Sequence, residues 1–80
     1  MIRVYTQSGS VYLIDREAKT WERVKVGEGS HALRTQSGTF TELYPIEVGR
    51  GVLMVCPPLV EGTIGRTIYT SNVTEIVDEN

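Results

Sequence analysis

Eighty residues make one domain near the lower size limit for a self-sufficient core, since so short a chain buries only about 60% of its unfolded surface. Apolar content of 40% argues against disorder, while a formal charge of −2 is poor footing for a protein that tracks a phosphate backbone. The lone Cys56 excludes a disulfide-stapled scaffold and fits a reducing, cytoplasmic compartment; no apolar run approaches the ~20 residues that span a bilayer, and the opening residues lack the basic and apolar segments of a signal peptide.

Residues 2–7 and 10–15 are rich in β-branched and aromatic side chains, with Ser8-Gly9 between them. A two-residue loop ending in glycine is a hairpin signal, because the tight turn needs a positive φ that glycine adopts without penalty. That loop pairs Val4 with Leu13 and Thr6 with Val11 on a core face. It pairs Tyr5 with Tyr12 and Arg3 with Ile14 on the opposite face.

Residues 15–26 are ambiguous. Ile14, Ala18 and Trp21 fall at helical spacing and Asp15 could cap a helix. Thr20, Trp21, Val24 and Val26 favour strand, and a polar turn precedes them, so a hairpin is expected with a helix as the alternative.

Residues 27–30 form a loop. A second hairpin is expected from residues 32–35 and 39–44 around Ser37-Gly38, because Thr35-Gln36-Ser37-Gly38 repeats Thr6-Gln7-Ser8-Gly9 word for word. Pro45 and Gly49-Arg50-Gly51 break the chain before residues 52–56, an apolar run expected of a strand covered on both faces. Pro57-Pro58 ends that run, because neither proline can donate to a ladder. Residues 63–70 and 73–77 are the last strands. A simple hairpin at Ser71-Asn72 would mix core and solvent faces, so a corner leading into a different sheet is expected there, with residues 78–80 as a frayed acidic tail. The fold class is all-β: a small SH3-like barrel or sandwich of about six to eight short antiparallel strands, forming one domain over residues 1–77.

The chemistry-bearing residues are sparse. His31 is the only histidine and Cys56 the only cysteine, too few for a zinc site and without a neighbouring group to activate a thiolate. The two glycine-rich loops lack the lysine and the following helix of a phosphate loop. Ser8, Ser37 and Ser71 lie in turns with no base beside them, and the carboxylates are scattered. The expectation is a protein that is not an enzyme and needs no cofactor or metal. Tyrosine and arginine give large contact area with a polar handle. The candidate partner-binding residues are therefore Arg3, Tyr5, Tyr12 and Ile14 on the first hairpin, with Arg34 and Arg66 beside them.

Two resemblances add to this. Gly65-Arg66-Thr67-Ile68-Tyr69-Thr70-Ser71-Asn72-Val73 resembles the end of SH3 domains, where such a segment forms a 3₁₀ turn between the last two strands. The acidic-aromatic opening and paired tryptophans of SH3 domains are absent, so their proline-rich peptide groove does not carry over. The whole chain, with Gly-Ser-Val-Tyr-x-Ile-Asp early and Thr-Ser-x-Val late, is similar to small all-β accessory proteins of actinobacterial phages. That likeness implies a module that binds and occludes or sequesters a host or defence component in the host cytoplasm, through a protein partner or as a homo-oligomer. A barrel that binds nucleic acid or a nucleotide, or a structural virion component, is the rival expectation.

Overall fold

A computed structural model describes residues 1–29 and 36–79. They form seven strands, β1 (Ile2–Thr6), β2 (Val11–Asp15), β3 (Thr20–Lys25), β4 (Ser37–Thr39), β5 (Glu42–Leu43), β6 (Gly51–Cys56) and β7 (Arg66–Asp78). No helix occurs among the described residues, so the fold is all-β and barrel-like. Strand order is β4-β3-β2-β1-β7-β6-β5, and every ladder is antiparallel. Both outer strands belong to one stretch of chain, residues 37–43, whose first half pairs with β3 and whose second half pairs with β6. The sheet therefore curls until its edges meet at Phe40-Thr41, where Phe40 N–H donates to Lys19 O and Thr41 N–H donates to Val55 O.

The core lies inside this curl. Val4, Tyr12, Ile14, Trp21 and Phe40 from one side meet Val52, Met54, Cys56, Ile68 and Val73 from the other. Alternation along β6 gives it one buried face, Val52, Met54 and Cys56, and one half-covered face, Leu53 and Val55. The expectation of a strand covered on both faces is thus corrected: β6 sits one strand from the seam.

The first hairpin has a different register from the one a Ser8-Gly9 turn implies. Gly9 N–H donates to Thr6 O at 3.0 Å and Thr6 N–H donates to Ser10 O at 3.1 Å, so the loop is Gln7-Ser8-Gly9, with Gly9 at φ +93°. Three-residue loops of this kind place a glycine in the left-handed region after a type I turn. The extra loop residue slides the pairing to Ile2 with Ile14, Arg3 with Leu13, Val4 with Tyr12 and Tyr5 with Val11. Because side chains alternate with period two, one residue of slip sends Tyr12 and Ile14 into the core while Tyr5 and Arg3 stay outside.

Residues 15–26 form a hairpin rather than a helix. Asp15 Oδ1 accepts from the Glu17 and Ala18 N–H groups at 3.0 and 3.1 Å, an Asx turn, and Lys19 takes φ 56° to bring the chain back. Ser37-Gly38, by contrast, is no turn. It lies inside β4 opposite Glu22 and Trp21, so the repeated tetrapeptide is a turn at one site and a strand at the other. The other arm of that expected hairpin, residues 32–35, lies outside the described residues.

The last two expected strands are one. β7 runs unbroken through Ser71-Asn72, pairing with β6 as far as Asn72 and with β1 from Val73 onward. The partner exchange falls at the expected corner, but as a strand that changes neighbours and not as the 3₁₀ turn of SH3 domains. Ser8 ties the first turn to this point through its N–H and its hydroxyl, both bonded to Ser71 Oγ at 3.1 and 3.0 Å. The tail is also tied down. Asp78 is in β7 opposite Ile2, and Glu79 N–H donates to Met1 O, which corrects the expectation of fraying at 78–79.

Candidate functional site

The residues expected to share one exposed face are separated by the register. Tyr12 is 4% exposed and packs in the core opposite Val4, and Ile14 is fully buried between Ile2 and Trp21. Both are corrected from contact residues to core residues. Tyr5 stays on the outer face but is half-buried between Val11 and Glu75. Arg3, also on that face, is engaged by Glu79: its Nε donates to Oε1, and its second contact, from Nη2 to Oε2, is 3.4 Å. The hydrogen bond from Arg3 holds the Glu79 carboxyl below its ordinary range, against the opposing effect of desolvation, with the charges of Arg3 and the N-terminus adding to the drop. Arg34 lies outside the described residues.

Arg66 is half-buried at the start of β7, opposite Cys56. Burial pushes the Cys56 thiol pKa up, and the Arg66 charge and the Trp21 indole offset part of that rise. At 1% exposure the thiol packs as a small group of the apolar core. The Trp21 indole N–H is buried beside it. Among the described residues no cluster of three or more His, Cys, Asp or Glu could hold a metal ion, and no helix is long and apolar enough to cross a membrane.

The exposed aromatic surface lies on the other half of the barrel. In β7, Ile68 and Thr70 face the core, so Tyr69 between them points out and is 65% exposed. It stands opposite Leu53 of β6, and Leu53 O accepts from Tyr44 N–H across the last ladder. The register therefore sets Tyr44, one residue past the end of β5, in one row with Leu53 of β6 and Tyr69 of β7. Gly51 makes room for the Tyr69 ring: a Cβ there would lie 2.8 Å from Tyr69 Cε1 and would overlap the Thr70 carbonyl oxygen. Beyond the row, the loop after Pro57-Pro58 exposes Leu59, Val60 and Ile64, the last at 94%.

Neither Tyr44 nor Tyr69 was singled out by sequence. The signal for Tyr69 was present in the strict alternation of Thr67-Ile68-Tyr69-Thr70. The signal for Tyr44 was masked by Pro45, which marks a strand end and says nothing about the face.

Along the seam, next to this row, runs a groove of about 510 Å³. Phe40, Leu43 and Ile46 give it an apolar floor, Tyr44 one wall, and Arg16 and Glu47 its charged rim. Glu47 is engaged by Arg50, at 3.4 Å from Oε2 to Nε. Compared with family models, curated proteins and solved structures, the chain matches none.

Proposed function

We propose that this chain is a small non-enzymatic binding module that recognises a protein partner through the outer face of β5, β6 and β7. The observation that carries this reading is the row Tyr44, Leu53 and Tyr69, two exposed aromatics on either side of a half-buried leucine, Tyr69 paired with it in the ladder and Tyr44 hydrogen-bonded to its carbonyl. Tyrosines held by a rigid ladder bind at low entropic cost, since few rotamers remain to be frozen, and such residues dominate contact energies. Ile64, Leu59 and Val60, in the loop that joins β6 to β7, are further large apolar side chains exposed to solvent. The likeness of the whole sequence to phage accessory proteins extends the reading to occlusion: the module covers a working surface of a host or defence component and so removes it from service.

Affinity capture from a bacterial lysate, with the wild type beside the Tyr44→Ala/Tyr69→Ala double variant, tests it. A protein retained by the wild type and lost by the double variant at unchanged Tm is the expected result. Nucleic acid or a nucleotide in the eluate, with no protein, or equal capture by both forms, contradicts the reading.

A further inference from the structure

The seam groove has chemistry of its own. Its floor is apolar, and of its two rim charges one is already engaged, because Glu47 pairs with Arg50. Arg16 sits in the β2–β3 turn, exposed, between Asp15 and Glu17 and on the side of Asp78 and Glu79, yet among the described residues no carboxylate comes within ion-pair distance of it. The groove thus offers an apolar floor beside one guanidinium outside any ion pair, a group suited to bidentate binding of a carboxylate.

Backbone geometry narrows the ligand further. Tyr44 N–H bonds to Leu53 O, so alternation turns the N–H and C=O of Leu43 away from β6, toward the open edge. Two residues on, Pro45 has no N–H to offer. An extended segment can therefore meet one residue of backbone here but cannot build a ladder, so side chains must supply the recognition.

We propose that the groove takes an extended acidic segment of the partner protein, one aliphatic side chain resting on Phe40, Leu43 and Ile46 and an adjacent carboxylate on Arg16. This deepens the protein-binding reading and rests on it. Tyr44 belongs both to the groove wall and to the exposed row, which makes the two surfaces continuous.

Titration of the ¹⁵N-labelled chain with two peptides, acetyl-Ser-Leu-Asp-Ser-amide and acetyl-Ser-Leu-Lys-Ser-amide, tests this without the partner in hand. The acidic peptide should shift the Phe40, Leu43 and Ile46 amides and the Arg16 side chain, and bind roughly fivefold more tightly than the lysine peptide. Arg16→Glu should reverse the preference, and Arg16→Gln, which adds no third acid to the turn, should abolish it. Equal affinity for the two peptides, shifts confined to Leu53 and Tyr69, no shift with either peptide, or an unchanged preference in the Arg16 variants each overturns the groove. Capture by Tyr69→Ala alone, which leaves the groove lining intact, reports on the exposed row instead, so the failure of either proposal is visible separately.

Discussion

Single residues settle which surfaces are free. Gly51 leaves room for the edge of the Tyr69 ring, and a methyl group there would overlap both that ring and the Thr70 carbonyl. Gly51→Ala is therefore expected to cost about 2 kcal/mol or more in denaturant unfolding, at the upper end for a single added methyl. Arg3 and Glu79 are the opposite case, a pair that closes a surface. The Glu79 pKa is lowered in the folded chain, so the contribution of the pair is present above the ordinary glutamate value of 4.5 and is lost as pH falls through the lower folded value. Thermal melts should show Glu79→Gln less stable than wild type at neutral pH, with the gap closing on acidification below pH 4.5. A gap that persists at low pH would mean that packing of the tail, and not the ion pair, holds it. Both side chains of the pair are substantially exposed, so the effect should be small and should shrink with salt.

At the scale of elements, turns decide what strands display. The strands were legible because their residues are: the β-branched and aromatic runs at residues 2–7, 10–15, 52–56, 63–70 and 73–77 all supply paired strands, the last two joined as β7, and Asp15 marks its turn by capping two N–H groups. The register of the first hairpin was not legible. A Gln-Ser-Gly loop and a Ser-Gly loop look alike in sequence, yet they differ by one residue, and that residue moves Tyr12 from surface to core. The repeat Thr-Gln-Ser-Gly fails for a related reason. Gly38 lies flat against Trp21, where a Cβ would come within 3.3 Å of the indole nitrogen, so tertiary packing and not turn preference chose its conformation. Nuclear Overhauser contacts between Hα protons check the register directly. Hydrogen bonds at Thr6 and Ser10 make Tyr5 and Val11 a non-hydrogen-bonded pair with close Hα atoms. A strong Tyr5–Val11 contact is expected, and a Thr6–Val11 contact in its place, the close pair of the other register, would restore the two-residue loop. The exposed row was partly legible: alternation alone puts Tyr69 outside, but only the ladder brings it beside Leu53 and Tyr44.

The whole molecule is held by two segments that change partners along their length. β7 joins β6 to β1, and residues 37–43 join β3 to β6, so the curl closes through Phe40. Phe40 is 5% exposed at that junction, and Phe40→Ala should cost about 3–5 kcal/mol by chemical denaturation, a large share of the total in so small a domain. Closure also divides the surface. The β1–β2 side carries the Arg3–Glu79 pair and a half-buried Tyr5, while the β5–β7 side carries the free tyrosines and the seam groove. Recognition is assigned to the second side. Hydrogen–deuterium exchange on the chain, free and bound to its captured partner, tests that assignment most directly. The account predicts new protection at residues 42–55 and 66–70 with β1 and β2 unchanged, and protection at residues 3–5 and 11–13 instead would contradict it.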